Sequence, residues 1–191
     1  MPDTDEALMA RVATGDQQSF AEIVKRYEAK ARRYAWRFFR DNGIAEDIAQ
    51  EVFLRIHRSA ARYRPSGRFQ TYLYRIAANL CYDRLRMLKR RGSSIQNTVD
   101  NYTLDHVEDS PSPRFDPPER GVELKEEKAM VREAIGRLPP GLAQILTLRE
   151  FEGLKYREIG DVLSIPVNEV KVKLHGARKR LQRELRAILL T

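Results

Sequence analysis

Between Arg55 and Arg91 the chain carries eleven lysines and arginines against one acid, Asp83. Tyr63, Phe69, Tyr72, Tyr74 and Tyr82 stand among them. Cations hold phosphates, and aromatic faces stack on unpaired bases. A helix face that is merely solvated normally carries acids beside its bases. The mixture therefore points to nucleic acid. A second basic run has seven cations from Lys171 to Arg186 against one acid, Glu184. Just before the first run, Asp47, Gln50, Glu51, Leu54 and Arg58 recur at spacings of three and four. That spacing sets an apolar knob, Leu54, inside a ring of acid, amide and base. Such a ring suits a protein-docking face, though a solvated face with one stray leucine reads the same way.

Catalytic chemistry is not indicated. The chain has no Gly-rich phosphate loop, and His57, His106 and His175 lack the spacing of metal ligands. Asp47, Glu51 and Asp83 have no evident partner for acid–base work, and no nucleophile has a base nearby in sequence. The expectation is a binding protein with no metal, no cofactor and no small-molecule substrate.

Composition sets the frame for these residues. The chain has 191 residues and a net charge of +8, which favours a polyanion: nucleic acid or an anionic membrane surface. No uninterrupted apolar stretch approaches membrane length, and the membrane-surface reading is the weaker because the basic stretches also carry DNA-type motifs. Cys81 is the only cysteine, so no intramolecular disulfide forms, which fits a reducing cytoplasm. The start, Met1 to Glu6, is acidic without an apolar run and does not look like a secretory signal.

The elements that must position these residues read as helices. Asp5–Thr14 is a short helix with Leu8, Met9 and Val12 inward, and Asp16 is the expected N-cap of a long helix to about Arg40. Phe20, Ile23, Val24, Tyr27, Ala31, Tyr34, Ala35 and Phe38 form its inner stripe. Asp41-Asn42-Gly43 is expected as a turn with left-handed backbone. Ile44, Ile48, Val52 and Ile56 repeat at i+4 in the helix that follows. Tyr63–Arg68 is a loop, and from Phe69 a helix turns Phe69, Leu73, Ile76, Ala77 and Leu80 inward. Tyr72, Arg75, Asn79 and Arg86 are left outside or at the core's edge.

Periodicity dissolves from Ser93 to Glu123. Seven acids and two arginines share this stretch with Pro111, Pro113, Pro117 and Pro118, the composition of a flexible linker. By composition it suits a solubilising tether. A second domain is expected from about Val122. One helix ends at Pro139-Pro140-Gly141, and a second, through Leu142, Ile145, Leu146 and Leu148, ends near Glu150. Then Tyr156–Leu163 and Pro166–Leu185 form a helix-turn-helix pattern. Gly160 stands where these two helices would cross. Val170, Leu174, Ala177 and Leu181 form the inner stripe of the last helix. Lys171, His175 and Arg178 share another face, with Lys173 and Lys179 beside it.

The segment Asp47-Ile48-Ala49-Gln50-Glu51-Val52-Phe53, with Phe69-Gln70-Thr71-Tyr72-Leu73-Tyr74-Arg75-Ile76-Ala77-Ala78-Asn79-Leu80 and Asp83, resembles region 2 of bacterial extracytoplasmic-function sigma factors. Tyr156-Arg157-Glu158-Ile159-Gly160 and the stretch from Pro166 to Arg178 resemble region 4 of the same family. The resemblance implies an all-α protein of two small helical domains: residues 1–92, a region 2 bundle, and 122–191, a region 4 helix-turn-helix. A flexible linker at 93–121 would join them, running through polymerase channels where its acids mimic nucleic acid, or serving only as a solubilising tether.

It also implies partners. Asp47, Gln50, Glu51, Leu54 and Arg58 would grip the β′ clamp helices of core RNA polymerase, whose β subunit is also met. Tyr63, Arg64, Arg68, Phe69, Tyr72, Arg75, Asn79 and Arg86 would recognise and melt the promoter −10 element, with Asn79 and the loop before its helix capturing a flipped base. Read from sequence alone, Asn79 is sooner a helix-surface amide than a base-reading one. Lys155, Tyr156, Asn168, Lys171, Lys173, His175, Arg178 and Lys179 would meet the −35 element.

Three departures from the family pattern stand out. Tyr72 replaces a commoner tryptophan, Asn168-Glu169 a usual Gly-Thr pair, and Gly176 a usual arginine. An anti-sigma factor is a further expected partner, with a cytoplasmic location and nucleoid association in the holoenzyme. The competing class is a self-sufficient helix-turn-helix regulator. It would not need the Leu54 face and would typically dimerise, for which no long heptad seam is present.

Overall fold

The computed structural model describes residues 3–65, 67–91 and 123–190, which hold eight α-helices and no β-strand. The expected all-α class is what the chain adopts. The expected linker, residues 93–121, lies outside the described residues. The chain packs as two compact units, Met1–Arg84 with Asp161–Ser164, and Leu85–Gly160 with Ile165–Thr191.

In the first unit, α1 (Asp5–Ala13) starts at Thr4, whose side chain accepts from the Ala7 amide at 3.2 Å, with Asp5 and Glu6 in the first turn. Both features satisfy or complement the free amides of a helix start. Asp16 caps α2 (Gln17–Phe39) as expected, accepting from the amides of Gln18 at 2.9 Å and Ser19 at 3.2 Å. The two helices are tied by Arg26, which donates to the Asp3 carbonyl at 2.8 Å and to Asp5 at 3.1 Å, and by the Tyr27 hydroxyl on Asp5.

The turn after α2 differs from expectation. Arg40 takes the left-handed conformation, φ 51°, and its amide returns to the Trp36 carbonyl at 2.9 Å. Asp41 instead caps α3 (Asn42–Ser59), accepting from the Ile44 amide at 2.8 Å. Asn42 and Gly43 are therefore already helical. A short acid able to satisfy a free amide outweighs the turn preference of the following pair.

A 3₁₀ turn, Ala60–Arg62, ends α3, and α4 runs from Phe69 to Arg91, belonging to this unit as far as Arg84. Ile23, Tyr34, Val52, Ile56, Leu73 and Tyr74 are fully buried, the core of this unit. Each aliphatic one contributes roughly 1.5–3 kcal/mol relative to leaving it in water. Ile76 and Leu80, expected inward, are half-buried at the edge.

The second unit contains α5 (Glu123–Gly136), α6 (Pro140–Leu146), α7 (Tyr156–Leu163) as far as Gly160, and α8 (Val167–Leu189). Pro139 and Pro140 do not merely stop α5. Pro139 is the N-cap of α6 and Pro140 its first residue, where a missing amide hydrogen costs nothing. After Leu146 the chain continues as a π-helical turn, Thr147–Phe151, so the α-helix is shorter than the periodicity suggested. The recognition helix α8 is longer, reaching Leu189. Gly160 is where close approach was expected: a Cβ there would lie 2.8 Å from the Ile165 carbonyl oxygen. That oxygen is backbone and cannot swing aside, so only glycine fits.

Candidate functional site

Three surfaces collect the residues singled out by sequence. The first is the outer face of α3. Asp47, Gln50, Leu54 and Arg58 are exposed there, and Glu51 is half-buried in an i,i+4 pair with Arg55 at 2.8 Å. Leu54 is 49% exposed although Val52, Phe53 and Ile56 beside it are buried. The core already has its aliphatic side chains from the opposite face, which leaves this leucine available to a partner.

The second surface is a cleft of about 410 Å³ lined by Arg55, Arg58, Ser59, Arg62, Tyr72 and Ile76. Arg55, Arg58 and Arg62 follow one another at three and four along α3 and the 3₁₀ turn, so one side of the cleft is cationic. Neither Arg58 nor Arg62 forms an ion pair among the described residues. On the other side, Tyr72 from α4 meets Ser59, with 2.6 Å between their hydroxyl oxygens. Ser59 directs its own hydrogen at the Arg55 carbonyl, 2.6 Å away. A serine hydroxyl has one hydrogen to give, so Tyr72 is the donor of the pair.

Behind Tyr72 the aromatic rings form a stack of edges. Tyr63 lies 5.0 Å from Tyr72 and 6.1 Å from Phe69, and Phe69 lies 5.0 Å from Tyr27. Burial, followed by the nearby charges of Glu6 and Asp5, raises the Tyr63 pKa, so its phenol stays neutral. A cleft with cations on one wall and a fixed ring on the other can hold a phosphate and a base together.

Two aromatic residues do not belong to that surface. Phe69 is 1% exposed and supports Tyr63 and Tyr72 from inside. Tyr74 is fully buried, 5.3 Å from Tyr34, and stacks within the core. Arg64, Arg68, Arg75, Asn79 and Arg86 are exposed, and Arg64 donates to the Tyr63 carbonyl at 3.1 Å. Asn79 follows Tyr72 and Ile76 at i+7 and i+3, so it continues their face of α4 one turn on. Sequence reasoning did not single out Arg55, Ser59, Arg62 and Ile76 for this cleft. The i, i+3, i+7 spacing of the three arginines was the available signal.

The third surface is α8. Val170, Leu174 and Ala177 are buried as expected, and Leu181 is half-buried. Asn168, Lys171, His175 and Lys179 are exposed, as is Lys155 ahead of α7. Tyr156 is half-buried under the Arg149 guanidinium, 4.9 Å from its ring centre. Lys173 pairs along the helix with Glu169 at 2.9 Å. Arg178 departs from its expected place in the open: it is half-buried, and Glu150 accepts from its Nε at 3.1 Å and its Nη2 at 2.7 Å. A Cβ on Gly176 would meet nothing within 4 Å, so a larger residue has room there.

Residues 23–91 match the Sigma-70 region 2 family and residues 128–181 the Sigma-70 region 4 family. The chain is 34% identical over 188 residues to the RNA polymerase sigma-H factor of Pseudomonas aeruginosa, covering 97% of this chain and 95% of that one. It is 32% identical over 190 residues to the ECF RNA polymerase sigma-E factor of Haemophilus influenzae, covering 97% of each. Among solved structures, CnrH in complex with the cytosolic domain of CnrY shares the fold. Its TM-score is 0.70 at 22% identity, over 97% of this chain and 99% of that one. A regulator that acts without polymerase is not favoured, because the matches take in region 2 as well as the helix-turn-helix. With both regions matched in order and identity sustained along nearly the whole length, the chain belongs to the ECF sigma factors, the initiation factors of RNA polymerase.

Proposed function

We propose a division of labour among the three surfaces. The α3 face around Leu54 docks the chain on the β′ clamp helices of core polymerase. The cleft between α3 and α4 receives unpaired DNA of the −10 element, with Arg55, Arg58 and Arg62 toward phosphates and Tyr72 toward a base. Asn79 meets the edge of a flipped base, since an amide offers both a donor and an acceptor. The exposed face of α8 enters the major groove at the −35 element.

The cleft carries this reading: it joins three cations, two of them unpaired among the described residues, to a ring held by a hydrogen bond. Domain limits at 1–92, 93–121 and 122–191 belong to the same proposal. An anti-sigma factor is the expected regulator, as in the complex of the sigma factor RpoE with the anti-sigma factor NepR from Bartonella quintana. No helix among the described residues is long and apolar enough to cross a membrane, and we assign the chain to the cytoplasm, on the nucleoid when bound to polymerase.

The test is run-off transcription with core polymerase and the chain across a fragmented genome. Discrete initiation sites sharing two spaced elements are expected. Initiation that is no more selective than core polymerase alone would contradict the proposal.

A further inference from the structure

Arg178 differs in kind from the other cations of the recognition helix. Lys173 pairs with Glu169 and Arg180 with Glu184 at 3.5 Å, both one turn away on the same helix. Such i,i+4 pairs are weak and easily exchanged for other partners. Arg178 instead reaches off α8 to Glu150, 28 positions earlier, and one carboxylate oxygen accepts from two of its nitrogens. The two side chains are 32% and 29% exposed, so water screens the pair less than a surface pair.

Glu150 lies in the π-helical turn Thr147–Phe151. Its neighbour Arg149 donates to the Leu154 carbonyl at 2.9 Å and covers the Tyr156 ring at the start of α7. The turn thus grips α7 through Arg149 and α8 through Glu150. On α8, Arg178 directly follows the buried Ala177 and stands at the rim of the inner stripe. Lys171, His175 and Lys179, at i, i+4 and i+8, are exposed and have no ion-pair partner among the described residues.

From this geometry we propose that Glu150 is a positioning residue for sequence reading. By holding Arg178 it fixes the seat of α8, and it leaves the bases to Asn168, Lys171 and His175. To read a guanine edge, an arginine must turn its nitrogens into the groove. The Nε and Nη2 of Arg178 are both on Glu150, and turning that edge to a guanine would leave the Glu150 charge unpaired near DNA phosphates. The inference rests on the reading of α8 as the duplex-binding helix.

The experiment uses holoenzyme reconstituted from core polymerase and the full chain. The probes are a promoter duplex recovered by that holoenzyme from genomic fragments and the same duplex with its upstream element scrambled, each titrated at several salt concentrations. Wild type should prefer the intact duplex. Glu150→Gln and Arg178→Gln should each reduce that preference by roughly five-fold, the scale of a partly exposed ion pair. The double variant should be no worse than either single one. The salt slope should be unchanged in Arg178→Gln and steeper by up to about one in Glu150→Gln, where a cation is released toward phosphate. Exchanging the charges, Glu150→Arg with Arg178→Glu, should restore preference.

If Arg178→Gln flattens the slope by about one while Glu150→Gln changes nothing, Arg178 meets DNA itself and the inference is wrong. Failure of the exchanged pair to restore preference, with its melting temperature unchanged, would also overturn it. A wild-type holoenzyme with no preference would refute the reading of α8, and the inference with it.

Discussion

Tyr72 donates its hydroxyl hydrogen to Ser59 across the cleft between α3 and α4, with 2.6 Å between the oxygens. The bond fixes the ring that faces the three arginines before any DNA arrives. A ring already in its bound rotamer loses less side-chain entropy when a base stacks on it.

Tyr72→Phe keeps the ring and loses the tether, and Ser59→Ala loses it from the other side. Each should slow promoter opening by about two- to ten-fold, corresponding to about 0.5–1.5 kcal/mol for one hydrogen bond. The two changes remove the same interaction, so the double variant should open no more slowly than either single one. Stopped-flow measurement of opening with all three variants checks this. Defects that multiply would show that the hydroxyls act separately.

Leu54 is the apolar centre of the α3 face, 49% exposed in a polar ring. Leu54→Asp should weaken binding to core polymerase by about 1–3 kcal/mol, the scale of an apolar residue buried in an interface. Helicity by circular dichroism should stay at the wild-type value, because the side chain supports nothing inside. Unchanged affinity in a polymerase titration would mean that the docking face lies elsewhere.

Asp16 links stability to pH. The hydrogen bond from the Ser19 hydroxyl, and then that from the Ser19 amide, hold its pKa below the ordinary aspartate value of 3.8. A carboxyl depressed on folding stabilises the native state above its unfolded pKa. That stability is lost as pH falls through the lower folded value. Asp16→Asn can still cap α2 but does not titrate there. Urea midpoints at about pH 7 and about pH 3 should therefore fall less in the variant than in wild type. Parallel falls would show that the cap contributes no charge-dependent stability.

Most of the helices were legible because an apolar residue every three or four positions is a local signal. The misreadings arose where local preferences competed. Asp41-Asn42-Gly43 has turn chemistry throughout, yet Asp41 is more useful as a cap, which moves the left-handed residue back to Arg40. Tyr74 has the same composition signal as Tyr72, and only its packing against Tyr34 shows that it faces inward, whereas the helical period already turns Phe69 toward the core, where it packs on Tyr27. The cleft was half visible: Arg55, Arg58 and Arg62 declare their shared face by spacing, whereas the Ser59–Tyr72 bond joins two helices and has no sequence signature. Glu150 and Arg178 are 28 positions apart, and nothing local connects them.

Opening of promoter DNA through the α4 face that carries Tyr72 and Asn79 is the step on which the proposed function turns. It is tested most directly by comparing Asn79→Ala with wild type in holoenzyme on two templates, one fully paired and one mismatched across the −10 element. Extruding a base from a duplex costs a few kcal/mol, and a mismatch removes much of that cost in advance. Normal polymerase binding by the variant is expected, with slow open-complex formation on the paired template and recovery toward the wild-type rate on the mismatched one. An equal defect on both templates, or none on either, would contradict opening through that face.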